Sequence, residues 1–233
     1  FTCALLNTGD VKCWGYNGFG TLADGSTSDS NTPVSANHST GMRAVSLATP
    51  GYSVCSIFEN GSVYCWGRTY TVSAENGTVT NGSVNIPFSD GRSAVSIDGT
   101  YWHTCAILDN GSMNCWGLNT HGQWGDGSCS SSISSSGCTG EDGNVPVHVS
   151  IAGPVLAIAT GEEATCAIVQ NYSLACWGGQ SGEFDGTSDD LLIPHWMNFN
   201  GGADLAFSDQ DHDGDGLWND LDTHMAGDDD GDD

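Results

Sequence analysis

The chain has 233 residues, with only four basic side chains (Lys12, Arg43, Arg68 and Arg92) against 29 acidic ones, and a formal net charge of −25. Such a surface repels phosphate backbones and anionic bilayers and favours cations and basic partners, which sets nucleic-acid binding aside as a function class. No apolar run approaches the roughly 20 residues of a membrane-spanning helix, and ten cysteines point to an oxidising compartment.

The first element is a hairpin. Phe1-Thr2-Cys3 opens an alternating run, Asn7-Thr8-Gly9 turns it, and the return ends on Cys13-Trp14-Gly15. The unit recurs as Cys55 to Cys65-Trp66-Gly67 around Glu59-Asn60-Gly61, and as Cys105 to Cys115-Trp116-Gly117 around Asp109-Asn110-Gly111. A fourth copy runs from Cys166 to Cys176-Trp177-Gly178 around Gln170-Asn171-Tyr172. The first cysteines lie 52, 50 and 61 residues apart. A period near fifty with strand-like alternation signals a propeller or a solenoid.

A three-residue loop closing on Gly fits a type I turn followed by a left-handed residue. Tyr172 stands where that Gly is expected, so the fourth turn is expected to be different or strained. Counting outward from Asn110 sets Leu108 opposite Ser112 and Cys105 opposite Cys115. Directly opposed Cβ atoms lie about 4.5–5.5 Å apart, within reach of a disulfide. The expected pairs are Cys3–Cys13, Cys55–Cys65, Cys105–Cys115 and Cys166–Cys176. Cys129–Cys138 brackets a Ser-rich insertion that lengthens the third copy. Zinc is the competing reading, but this spacing lacks the close Cys-x-x-Cys pairs of structural sites.

Upstream of the hairpins lie short apolar strands carrying Val45 and Leu47, Val95 and Ile97, and Leu156 and Ile158. Downstream comes a Gly-rich turn with one large apolar residue (Leu22, Trp124, Phe184), then a proline (Pro33, Pro87, Pro146, Pro194) before a further short strand. Each copy thus supplies about four strands, one propeller blade. The second copy lacks the Gly-x-x-Gly turn over residues 68–77, and its outer edge is expected to be irregular. The first copy lacks its upstream strand, which residues 203–208 (ADLAFS) match, although Asp215 stands where the next Cys would follow. That strand could close a four-bladed ring. An open arc or fragment of a larger propeller is the favoured expectation. The organisation expected is all-β, with propeller repeats over 1–208 and a tail over 209–233.

The run over residues 103–127 (HTCAILDNGSMNCWGLNTHGQWGDG), with weaker versions at the other three hairpins, resembles the regulator of chromosome condensation repeat. The likeness is to the cysteine-paired form found in secreted prokaryotic propellers and covers about 1–209. It implies a propeller fold. Its members include a nucleotide-exchange factor for a small GTPase, a beta-lactamase inhibitor protein and surface proteins, so it does not choose a function.

From Asp209 the composition changes, and the last 25 residues hold eleven of the 29 acidic side chains. Asp211, Asp213 and Asp215 at alternate positions, Gly216 and a closing Asp222 follow the calcium-loop spacing, with Asp for the usual Glu. This segment resembles thrombospondin type 3 and dockerin-like calcium loops. That resemblance implies side-chain ligation by Asp211, Asp213, Asp215 and Asp222, a carbonyl ligand from Leu217, and Asn219 direct or through water. Asp228, Asp230 and Asp232 look like the start of a second, partial loop. A solvated acidic linker is the alternative.

No His-Glu-x-x-His, Gly-x-Ser-x-Gly, Walker or Rossmann pattern is present, and no catalytic residue is expected. His103 reads as a packed strand residue. Trp14, Trp66, Trp116 and Trp177 recur beside the disulfides and read as inter-blade packing. Trp102, Trp124 and Trp196 do not repeat and are candidates for an exposed contact surface. Asn-x-Ser/Thr sequons at Asn60, Asn110 and Asn171 fall on hairpin turns, where glycan would be accessible, and Asn37, Asn76 and Asn81 add three more; good turn chemistry is the favoured reading of the motif over glycosylation.

The expected function is a secreted or cell-surface, non-enzymatic propeller that presents loops to a protein or glycan, with a calcium-ordered spacer. The alternative is an exchange-factor-like or inhibitor propeller that binds one protein through a contiguous patch on one rim.

Overall fold

The computed structural model describes residues 1–38, 41–69, 78–89, 91–130, 143–179 and 190–197. Among them are fifteen strands in four antiparallel sheets, each a meander in chain order. The first sheet holds β1 (Thr2–Leu5), β2 (Val11–Gly15) and β3 (Ser30–Ser35). The second holds β4 (Ala44–Ala48), β5 (Ser53–Phe58), β6 (Val63–Thr69) and β7 (Thr78–Ile86). β8 (Ala94–Gly99), β9 (His103–Leu108), β10 (Met113–Gly117) and β11 (Gly143–His148) make the third. β12 (Val155–Thr160), β13 (Ala164–Val169), β14 (Leu174–Gly178) and β15 (Leu191–Trp196) make the fourth.

The register is the one that turn geometry dictates. Cys3 faces Cys13, Cys55 faces Cys65, Cys105 faces Cys115 and Cys166 faces Cys176. All four pairs form disulfides. Each closes a loop worth roughly 2–3 kcal/mol through the unfolded state. Cys129 is buried and disulfide-bonded, whereas its expected partner Cys138 lies outside the described residues.

The sheets pack in chain order through their hairpin turns. The N–H of Ala44 donates to the Gly9 carbonyl (3.0 Å), Ala94 to Gly61 (2.8 Å) and Val155 to Gly111 (2.8 Å). These glycines have φ of 84°, 78° and 79°. A Cβ on them would lie 2.6, 2.3 and 2.6 Å from Cβ of Arg43, Ser93 and Pro154 in the next sheet. Glycine is therefore required twice, for the left-handed backbone and for blade-to-blade approach. Tyr172 keeps the same turn: its N–H donates to the Val169 carbonyl at 2.7 Å, with φ of 61°. Of the two expected departures, strain is the one found.

Apolar clusters fill the seams between sheets one and two, two and three, and three and four. Three of the four repeated tryptophans pack between sheets as expected, whereas Trp14, in the first sheet, is only partly buried. Trp66 and Trp177 are fully buried and donate their indole N–H across a seam, to Thr21 O at 3.0 Å and Gln123 O at 2.9 Å. Trp116 is buried against Phe88, with ring centroids 6.2 Å apart.

One expectation needs correction. The prolines do not precede the outer strands: Pro33, Pro146 and Pro194 lie within β3, β11 and β15, and Pro87 follows β7. These are edge strands, where a missing N–H costs little. The upstream apolar strands form as expected, and Val45, Val95 and Leu156 have a distinct place in them. Each is the unpaired residue of a bulge in an inner strand and is about half exposed. At the outer edge of the second sheet, β7, at nine residues, pairs with β6 as far as Thr69, with a register shift between Cys65 and Gly67, and residues 70–77 lie outside the described residues. Residues 203–208, Phe184 and the whole tail lie outside the described residues.

Candidate binding face

The Gly of each Cys-Trp-Gly sits at a β-bulge, where the ladder to the outer strand shifts register. Gly67, Gly117 and Gly178 have φ of 90°, 106° and 101°. A Cβ there would approach the carbonyl oxygens of Tyr52, Trp102 and Glu163 to 2.6, 2.6 and 2.3 Å. The residue after each Gly donates to the same carbonyls: Arg68 to Tyr52 (2.9 Å), Leu118 to Trp102 (2.8 Å) and Gly179 to Glu163 (2.8 Å). The bulge thus fixes one position, three residues before the first Cys, at the same edge of successive sheets. That position holds Tyr52, Trp102 and Glu163, and the residue before it is Gly51, Tyr101 and Glu162.

Along this edge the aromatic rings form a continuous row. Tyr16 and Phe19 come from the loop after β2, Tyr52 from the second sheet, and Tyr101 with Trp102 from the third. Centroids are 6.2 Å apart for Tyr16–Tyr52, 4.9 Å for Phe19–Tyr52, 5.6 Å for Tyr52–Tyr101 and 4.3 Å for Tyr101–Trp102. Interplanar angles of 60–72° make the rings a set of ridges rather than a flat platform. Tyr16 and Tyr101 are 43% and 42% exposed, and the other three are half-buried. The Arg68 guanidinium stands over Phe19, 5.2 Å from its centroid. Between the second and third sheets the row borders a small notch lined by Pro50, Tyr52, Arg68, Tyr101, Trp102 and Trp116. Gly51, with φ of 54°, lets the two loops meet, since a Cβ there would lie 2.4 Å from the Tyr101 carbonyl.

The row ends in carboxylates at the fourth sheet. Thr100, next to Tyr101, donates its hydroxyl to the Gly161 carbonyl, which joins the loop that carries Tyr101 and Trp102 to the loop that carries Glu162. Glu162 is exposed. Glu163 faces His121 Nε2 at 3.5 Å, and His121 Nδ1 meets Asp190 at 2.9 Å.

Other sequence candidates take quieter places. His103 is buried, with Nε2 2.7 Å from Thr165 Oγ1. That hydroxyl donates its one proton to Gln123 O at 2.9 Å, so it accepts from His103, whose Nε2 carries the hydrogen. Burial pushes the His103 imidazole down to about 4 against an opposing pull from Asp98, which leaves it neutral and structural. Trp124 is not part of a contact surface. It is 7% exposed and takes the place that Leu22 takes in the first copy, each held by its N–H on an Asn side chain, Asn119 or Asn17, at 2.9 Å. Trp196 is 42% exposed, but it pairs with Ala175, towards the opposite end of its sheet. Trp102 joins the row, as expected of a contact residue. Tyr16, Phe19, Tyr52 and Tyr101 were not anticipated.

At the hairpin turns, the Asn60, Asn110 and Asn171 side chains accept the N–H of Ser62, Ser112 and Ser173 at 3.0, 3.0 and 3.1 Å, the turn chemistry that Asn-x-Ser supplies. The calcium ligands Asp211, Asp213, Asp215, Leu217, Asn219 and Asp222, and Asp228, Asp230 and Asp232, lie outside the described residues.

A family model described as the regulator of chromosome condensation (RCC1) repeat matches residues 1–21 and 94–123. Over 65 residues the chain is 37% identical to an Arabidopsis thaliana RCC1 domain-containing protein, RUG3, described as mitochondrial; this is 28% of the chain and 15% of that protein. Human WBSCR16 superposes with a TM-score of 0.70 at 16% identity, over 84% of this chain and 50% of that one. Yeast RCC1 (Prp20), solved bound to Kap60, gives 0.66 at 15% identity, over 82% of this chain and 45% of that one. The chain thus spans half or less of each of these relatives. The fold is an RCC1-type β-propeller.

Proposed function

We propose that the chain is a non-enzymatic, secreted or cell-surface binding propeller that engages its ligand, a protein or a glycan, through the aromatic row. The single observation that carries this reading is the row itself. Five rings from three sheets meet along one edge, two of them more than 40% exposed. Contiguous exposed aromatic surface is costly in water and marks interaction sites. The four hairpin disulfides support an oxidising, extracellular setting.

The row is also the contiguous patch on one rim that a propeller with one specific protein partner requires, which favours the exchange-factor-like or inhibitor variant of the same reading. Prp20 is described with binding properties to Gsp1p and histones, so a propeller of this fold serves as a protein-binding body.

Arrays of immobilised peptides and glycans, probed with the wild-type chain and with Tyr101→Ala, test the reading. Ligands retained by the wild type and lost by the variant support it. Identical binding patterns for the two proteins overturn it.

The tail acts as a calcium-ordered spacer, with Asp211, Asp213, Asp215 and Asp222 neutralised by the ion and the chain stiffened around it. Calorimetric titration with calcium gives saturable heat that is lost when Asp211, Asp213 and Asp215 are all changed to Asn. Heat of dilution alone in the unaltered chain overturns this assignment.

A further inference from the structure

The two positions that carry Tyr101 and Trp102 in the third sheet carry Glu162 and Glu163 in the fourth. The bulge fixes them at the same edge: the Trp102 and Glu163 carbonyls accept equivalent N–H groups at 2.8 Å each. The Thr100–Gly161 contact joins the two loops directly. The edge therefore changes chemistry from aromatic ridges to carboxylates at one step of the repeat, with no lysine or arginine among the described residues of the fourth sheet.

We propose that this edge, as the binding face described above, takes an extended, proline-rich peptide segment in the polyproline II conformation, with a basic side chain at the end that meets Glu162 and Glu163. Three features select this class. Rings tilted by 60–72° leave furrows between ridges, the relief into which the ridged polyproline helix packs; a sugar ring instead stacks flat on a face. The steps of 6.2, 5.6 and 4.3 Å from Tyr16 to Trp102 make a path that a polyproline chain, at about 3.1 Å per residue, crosses in about five residues. The carboxylates at one end, on a chain of net charge −25, complement a lysine or arginine and repel an acidic end. A proline-rich segment also brings few unpaired backbone donors to an edge made of rings.

The test is calorimetric titration of the full chain with three probes: an oligoproline peptide ended by an arginine pair, the same peptide ended by a glutamate pair, and a neutral β-glucan oligosaccharide. The arginine-ended peptide is expected to bind at least about tenfold more tightly than the glutamate-ended one, a difference of about 1.4 kcal/mol. Tyr101→Ala weakens it by about tenfold or more. Glu162→Lys, at an exposed position that leaves the fold intact, reverses the preference between the two peptides. Equal affinity for both peptides, or a preference untouched by Glu162→Lys, overturns the proposal. Binding of the oligosaccharide with neither peptide bound overturns it while leaving the binding-face reading standing, and the Tyr101→Ala array decides that reading separately. A melting temperature of Tyr101→Ala equal to that of the unaltered chain assigns its loss of binding to the face rather than to unfolding.

Discussion

Tyr172 carries a backbone conformation that the other three hairpins give to glycine, with φ of 61° against 84°, 78° and 79°. A left-handed L-residue costs roughly 1–2 kcal/mol, and glycine returns part of that gain as chain entropy. Tyr172→Gly is therefore expected to stabilise the chain by roughly 0.5–1 kcal/mol, about 1–4 °C in melting temperature. An unchanged or lower melting temperature would show that the exposed Tyr172 ring makes contacts that outweigh the strain. His103 sets a pH dependence. Its folded value, about 4, lies below the ordinary 6.5, so the unfolded chain takes up the proton first as the pH falls. The stability it contributes is whole above about pH 6.5 and is lost between there and about pH 4. The slope is at most roughly 1.4 kcal/mol per pH unit. Denaturant melts at pH 7 and pH 5 should show wild type losing more stability than His103→Gln on acidification, and equal losses would contradict a buried neutral imidazole.

At the scale of the hairpin, four glycine-closed or glycine-like turns, four disulfides and four Cys-Trp-Gly bulges repeat one local solution. That is why the fold was legible in the sequence. Cys105 opposite Cys115 follows from counting out of a turn, and turn residues act within a few positions of themselves. The binding face was less legible, because Tyr16, Tyr52 and Tyr101 meet only after three sheets have packed. One signal was available: the position three residues before the first Cys holds Tyr52, Trp102 and Glu163, so Trp102 does repeat in kind once. Trp124 was misread for the converse reason. Its counterpart in the downstream turn, Leu22, is fully buried, and carrying that match through to burial would have placed Trp124 in the seam. Replacing Cys105 and Cys115 together by Ala removes one staple and is expected to cost roughly 2–3 kcal/mol in denaturant melts, measured against the same chain with its other bridges intact. A loss below about 0.5 kcal/mol would show that turn and seam packing alone hold the hairpin.

Across the whole molecule, hairpin turns seat each sheet on the next at one end, while the bulges at the other end aim side chains outward. In the proposed function, stability and recognition are thereby separated to opposite ends of the same strands. Substitutions at Tyr16 or Tyr101 should therefore change binding and leave folding alone, whereas Gly61→Ala, whose Cβ would meet Ser93 Cβ at 2.3 Å, should do the reverse. The most direct measurement is a map of backbone amide chemical shifts on adding the best ligand from the peptide and glycan arrays. The account predicts that the largest changes fall on Tyr16, Phe19, Tyr52, Arg68, Tyr101 and Trp102 and extend to Glu162. Changes centred instead on Val45, Val95 and Leu156, or on the turns at Asn60 and Asn110, would contradict it and move the binding face elsewhere on the propeller.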